Sequence, residues 1–199
     1  MKEREFVFFS SCRKVINDSG TEIDTERQSQ ELKDSVLRRY GDAVLFEHIP
    51  RPEKKHFTDQ LKRIGNQEVS LHFSGHGDER GLCWHWPPCS CGRKKNKDLP
   101  SGRKKNKEMH IPGKQLANLV AMPQHGAVEK IDCFFLNACC TLSTGIELYK
   151  IGVRVVVCWK TTVTDSTARH FATRFYEEVD LSVRPDSLPR PLRWFVLRC

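Results

Sequence analysis

Apolar positions along this chain come in short blocks whose period switches between that of a strand and that of a helix. The stretch Glu5 to Cys12 carries Phe6-Val7-Phe8-Phe9 without interruption, as a strand covered on both faces would. Asn17, Asp18, Ser19 and Gly20 supply turn chemistry. Thr25-Glu26-Arg27-Gln28 resembles a capping box, Leu32, Val36, Leu37 and Tyr40 share one helical face, and Gly41 suits the stop. Ala43 to Phe46 reads as a second strand. Pro52 opens a helix striped by Phe57, Leu61 and Ile64 and ended by Gly65. Glu68 to Phe73 is a third strand and Ile131 to Leu136 a fourth. Between them Pro112-Gly113 starts a helix with Leu116, Leu119 and Val120 inward. Ile146, Leu148 and Tyr149 fall in a short helix closed by Gly152. Val153 to Trp159 forms a fifth strand. Asp165 is expected to cap a last helix, with Ala168, Phe171, Ala172, Phe175, Tyr176 and Val179 at helical spacing. Strands that alternate with helices imply an α/β fold with parallel pairing and helices on both faces of the sheet.

Two stretches break the rhythm. Residues 78–111 form an irregular insert that contains a tandem repeat, Gly92-Arg93-Lys94-Lys95-Asn96-Lys97-Asp98-Leu99 and then Gly102-Arg103-Lys104-Lys105-Asn106-Lys107-Glu108-Met109. Its composition cannot bury apolar surface, so it reads as a solvated loop. The tail 181–199 carries Pro185, Pro189 and Pro191 before Leu192-Arg193-Trp194-Phe195-Val196-Leu197 and is left unassigned; the domain is expected to span 1–180.

Charge adds one point to this picture. Of the net +8, the segment 92–109 supplies +6, from eight basic side chains against Asp98 and Glu108. The basic balance thus describes one loop rather than a nucleic-acid-binding face. If that loop did bind nucleic acid, salt would weaken the binding steeply. No apolar run approaches the roughly 18–20 residues of a membrane span, and the N-terminus lacks the apolar core of a signal peptide. Nine cysteines, an odd number, several in or beside expected core strands, fit free thiols in a cytoplasmic protein.

The candidate chemistry sits at two strand ends. Ile131-Asp132-Cys133-Phe134-Phe135-Leu136-Asn137-Ala138-Cys139-Cys140 climbs to a thiol and gives way at once to Thr141-Leu142-Ser143-Thr144-Gly145. Val69-Ser70-Leu71-His72-Phe73-Ser74-Gly75-His76-Gly77 ends in a histidine between two glycines. In α/β sheets, loops at the carboxyl ends of strands open on the functional crevice. A cysteine and a histidine on two such ends make a nucleophile and its base. Gly77 lets the backbone turn its N–H toward a substrate carbonyl oxygen, and with the N–H of Cys139 it would form an oxyanion hole. Cys83, His85, Cys89 and Cys91 put four potential zinc ligands in nine residues. A strand Leu82 to Trp86 followed by a Pro-rich turn is the simpler reading, so no metal and no cofactor is expected. His72 alternates with Leu71 and Phe73, as a packed and hydrogen-bonded core histidine would.

Leu71-His72-Phe73-Ser74-Gly75-His76-Gly77, then Phe134-Phe135-Leu136-Asn137-Ala138-Cys139, then Trp159, Asp165 and Phe171-Ala172-Thr173-Arg174-Phe175-Tyr176, taken in that order, resemble the CHAT domain. The family belongs to the caspase-like, separase-related cysteine peptidases. The resemblance implies a caspase-like three-layer sandwich with a mostly parallel sheet. It also implies His76 as the catalytic histidine and Cys139 as the nucleophile of a cysteine endopeptidase acting on a peptide or protein substrate. The chain departs from the caspase pattern after Ala138-Cys139, where Cys140-Thr141 stands instead of Arg, Gln or Gly and then Gly. The second thiol, the insert and the tail motivate an alternative, a catalytically inactive interaction module that meets partner proteins through further domains or self-association. For the substrate, Asp165 and Asp78 near the crevice lean toward a cationic residue before the scissile bond. Arg13, Arg80 and Arg154 keep an acidic preference open.

Overall fold

The computed structural model describes residues 4–11, 25–50, 52–64, 67–83, 110–122, 128–179 and 194–197. In chain order the elements are β1 (Arg4–Ser10), α1 (Thr25–Tyr40), β2 (Val44–Pro50), α2 (Lys54–Arg63) and β3 (Val69–Ser74), then three short strands, β4 (Gly77–Asp78), β5 (Gly81–Cys83) and β6 (His110–Ile111). There follow α3 (Gly113–Val120), β7 (Ile131–Asn137), α4 (Leu142–Lys150), β8 (Val155–Trp159), α5 (Asp165–Glu178) and β9 (Trp194–Leu197). Six strands form one sheet in the order β2-β1-β3-β7-β8-β9, and every neighbouring pair is parallel. The short strands make a separate antiparallel sheet, β4-β5-β6.

Successive side chains of a strand point to opposite faces, so the continuous apolar runs feed two cores. Val7, Phe9, Leu71, Phe73, Phe134 and Leu136 pack with Phe57 and Leu61 of α2, Leu116 of α3 and Leu148 of α4. Phe6, Phe8, Cys133, Phe135 and Val157 pack with Leu32 and Val36 of α1 and with Ala172, Phe175 and Tyr176 of α5. Helices therefore cover both faces, in agreement with the α/β sandwich expected of a caspase-like fold. Leu82 and Ile111 join the first core, which seats the small sheet against the main body. Among the described residues no helix is long and apolar enough to cross a membrane.

The elements differ from the sequence reading in four places. Thr164, not Asp165, caps α5, because its hydroxyl accepts the Thr167 N–H; Asp165 is the first helical residue. On α4, of the three apolar residues read into the helix only Leu148 is buried, and Tyr149 is exposed; Thr144 and Gly145 are buried beside Leu148, Gly145 against β8. A side chain at 145 would press on the Cys158 sulfur, so glycine lets the helix approach β8. Within the unassigned tail, Trp194–Leu197 adds a sixth parallel strand beside β8. Of the insert, residues 84–109, with the basic repeat, lie outside the described residues, and what is described at its two ends is ordered into β4, β5 and β6.

Candidate functional site

The carboxyl ends of β1, β3 and β7 are aligned by register. Ser10 pairs with Ser74, and Ser74 with Asn137. The ladder runs one step further, since Ser11 N–H donates to the Ser74 carbonyl at 2.9 Å and Gly75 N–H to the Asn137 carbonyl at 3.3 Å. His76 and Cys139 each stand two residues past the paired Ser74 and Asn137, on strands that neighbour one another at about 4.8 Å. Gly77 brings the two loops into contact. A Cβ there would lie 2.7 Å from the Cys139 carbonyl oxygen and 3.2 Å from the Ala138 Cβ, so only glycine fits. The histidine end of β3 and the cysteine end of β7 thus meet in one place, and both residues are half-buried.

The turn that carries the thiol is held from several sides. Cys140 has φ 54°, the left-handed region, which costs a non-glycine residue roughly 1–2 kcal/mol. Its N–H donates to the Thr161 carbonyl at 3.1 Å. Thr141 is buried; its hydroxyl donates to the Ala138 carbonyl at 3.1 Å and accepts the Trp159 N–H at 3.0 Å. The Trp159 indole N–H donates to Asn137 Oδ1 at 3.1 Å. The Cys139 sulfur accepts the Val163 N–H at 3.4 Å, and its thiol faces the Val163 carbonyl at 3.7 Å. At Cys140, burial, then the nearby Cys139, Glu79 and Asp78, hold the thiol above the ordinary value. Of two adjacent thiols, then, Cys139 has the hydrogen bond and Cys140 the repulsion.

Asp78 does not offer a free carboxylate. Arg80 donates to it through its backbone N–H, Nε and a terminal nitrogen at 2.7–2.9 Å, and His110 Nδ1 lies 3.4 Å away. Burial alone would raise its carboxyl; the Arg80 hydrogen bonds and the His110 and Arg80 charges outweigh that and hold it low. Asp165 sits in the first turn of α5, half-buried, two residues after Val163. Of the arginines considered near the crevice, Arg80 is engaged by Asp78 and Arg13 lies outside the described residues. Arg154 precedes β8 and therefore stands at the amino end of this parallel sheet, where it pairs with Asp132; it does not belong to the crevice. Cys83 is the one described member of the possible zinc set, and it is buried. Among the described residues no three His, Cys, Asp or Glu side chains are grouped to hold a metal ion.

Several residues around the crevice escape a reading by motif. Ser10 Oγ and His48 Nε2 share a 2.8 Å hydrogen bond, and Ser74 donates to Gln28 of α1 at 2.6 Å. Burial lowers the His48 imidazole, with Glu26 partly opposing, which leaves the ring neutral near pH 7. Val163, Trp159 and Thr141 hold the turn that carries Cys139. The one sequence signal for this shell was a polar residue closing each apolar run: Ser10, Ser74 and Asn137. His72 is fully buried, hydrogen-bonded through Nδ1 to the Tyr176 hydroxyl at 3.2 Å and stacked on Phe135, as its place in the strand implied. No protein-family model matches this chain, and no curated protein matches it.

Proposed function

We propose that this chain is a cysteine endopeptidase of the CHAT or caspase-like kind, with Cys139 as nucleophile and His76 as general base and acid. The observation that carries the reading is the contact of Gly77 with the Cys139 carbonyl, at the ends of two neighbouring strands in register. In the reaction, the Cys139 sulfur adds to the scissile carbonyl carbon while His76 takes the thiol proton. The oxyanion is met by the N–H groups of Gly77 and Cys139. His76 returns the proton to the departing amine, which leaves a thioester. Water then attacks the thioester, releasing the carboxylic acid and restoring the thiol. The strained turn at Cys140 and the Val163 N–H on the sulfur support the reading, since such outliers gather where a reactive group is held in position. The five described cysteines are free thiols, which supports a reducing, cytoplasmic setting.

A second reading, an inactive interaction module, is favoured by the sulfur's engagement with Val163 on both its donor and acceptor sides. A thiol-reactive peptide probe separates the two. The peptidase requires labelling to be lost in Cys139→Ala and His76→Ala and kept in Cys140→Ala. Equal labelling of all three variants leaves the module.

A further inference from the structure

Cys140 takes no part in the proposed peptide hydrolysis, yet its thiol stands beside the nucleophile. Of the five described cysteines, Cys83, Cys133 and Cys158 are buried, and Cys139 and Cys140 are half-buried. Both lie in the turn that follows β7. In a strand, consecutive side chains point to opposite faces of the sheet. Cys140, with φ 54°, has left that alternation. Burial first, and then the nearby Cys139, raise the Cys140 thiol, so the two thiols are within reach of each other's charge.

The turn is held on both sides of this pair. The Val163 N–H meets the Cys139 sulfur at 3.4 Å, and the Cys140 N–H donates to the Thr161 carbonyl at 3.1 Å. Thiols on consecutive residues close the smallest ring a disulfide can make. Consecutive Cα atoms are about 3.8 Å apart, short of the roughly 4.4–6.8 Å that disulfides ordinarily span. A bond there is strained, and strained bridges are the ones that thiol reductants reopen. It also encloses no length of chain, so it adds little to stability by restricting the unfolded state. Its consequence is chemical, because it occupies the Cys139 sulfur.

We propose that Cys139 and Cys140 are a modification site, a vicinal dithiol that a hydroperoxide converts to a reversible disulfide. One sulfur attacks a peroxide oxygen and the O–O bond breaks. The thiol proton goes to the departing oxygen, which leaves a sulfenic acid and, from hydrogen peroxide, one water. The second sulfur then attacks the sulfenic sulfur. The S–O bond breaks, and the hydroxide leaves with the second thiol proton as another water. The two thiols have given up two electrons and the peroxide has taken them. A thiol reductant returns them through a mixed disulfide. With no thiol beside it, a sulfenic acid proceeds to the sulfinic acid, which thiol reductants do not reverse. Cys140 thus keeps oxidation of Cys139 recoverable. The disulfide does not rest on the peptidase reading; only the loss of activity that it brings does.

The test exposes the reduced full chain to hydrogen peroxide, alkylates the remaining thiols in denaturant and weighs the tryptic peptide 131–150, which holds Cys133, Cys139 and Cys140. The peptide should carry one alkyl group, on Cys133, and a link between Cys139 and Cys140. Dithiothreitol before alkylation should restore alkylation of all three. In Cys140→Ser the link should be lost, and Cys139 should gain two or three oxygens, as sulfinic or sulfonic acid, that dithiothreitol does not remove. Cys140→Asn, which tolerates the left-handed turn, should do the same, so a folding defect in one variant does not decide the result. Labelling of the unmodified chain by the thiol-reactive peptide probe should vanish with peroxide and return with dithiothreitol. Both thiols still free after peroxide, oxygens on Cys139 beside a free Cys140 in the unmodified chain, or a link from either to another cysteine overturns the site. A Cys139–Cys140 link in a chain whose Cys139 never takes the probe keeps the site and removes the peptidase.

Discussion

The two ends of the main sheet solve the same problem, polar groups beside a buried core, in opposite ways. At the amino end the solution is charge. Arg4 meets Glu68 at 3.0 Å and Asp132 at 3.2 Å, and Arg154 meets the same two carboxylates. Asp132 is 3% exposed, and burial pushes its carboxyl up to about 6 in spite of both arginines. At the carboxyl end the solution is neutral. Ser10 pairs with His48, Ser74 with Gln28, and Asn137 with Trp159. Ions that satisfy one another fasten the strands and are spent in doing so. Neutral hydrogen bonds hold the strand ends at the other edge, and His76 and Cys139 stand just past them.

The comparison is broken most severely by removing one ion. Arg4→Met leaves Asp132 buried with Arg154 alone and should lower stability by about 3 kcal/mol, read by urea unfolding. Because the ion cluster lies at the far end of the sheet, labelling of Cys139 in the folded protein should be unchanged. A loss of labelling without a loss of stability would show that the two ends are not independent.

Acid should act on the two regions with opposite sign. Burial lowers the His72 imidazole from 6.5 to about 3, so the unfolded chain binds the extra proton first. The stability this group contributes is full above about 6.5 and is lost as pH falls toward 3. The slope is roughly 1.4 kcal/mol per unit, or about 3 kcal/mol by pH 4. For Asp132 the folded value lies above the unfolded one. Its contribution is full below about 4 and is lost as pH rises through about 6, a change of roughly 2–3 kcal/mol. Against unfolding curves of His72→Leu and Asp132→Asn from pH 7 to pH 4, the native chain should lose ground to the first variant and gain on the second. Curves that stay parallel would refute both assignments.

Gly77→Ala is the smallest perturbation of stability, about 2 kcal/mol, and the one that reaches the chemistry. The added methyl meets the Cys139 carbonyl, which is backbone and cannot swing away. The β3 and β7 loops should separate, and probe labelling at Cys139 should slow by more than the unfolded fraction explains. Labelling at the native rate would mean that the approach of these loops does not matter to the thiol.

What the chain states locally was legible in the residues. Unbroken runs such as Phe6-Val7-Phe8-Phe9 and Cys133-Phe134-Phe135-Leu136 can be buried only on both faces, which dictates a sheet between two helix layers. The same runs end in Ser74-Gly75-His76 and Asn137-Ala138-Cys139, and parallel strands carry those ends to one edge. Side-chain caps and partners were harder, because they depend on distances of a fraction of an ångström. Thr164 and Asp165 are both good N-caps, and only the path of the backbone after Val163 chose the threonine. Trp194–Leu197 has strand propensity, but a strand needs a neighbour, and the open edge of β8 is a fact of tertiary structure. The same holds for Arg154, whose number says nothing of which end of the sheet it occupies. It holds too for Glu31 of α1, since Arg27 and Arg169 are 142 residues apart and both pair with it only when α1 and α5 lie on one face. Periodicity belongs to the chain; the meeting of distant charges belongs to packing, because Coulomb and hydrogen-bond energies are decided by separations that no local pattern encodes.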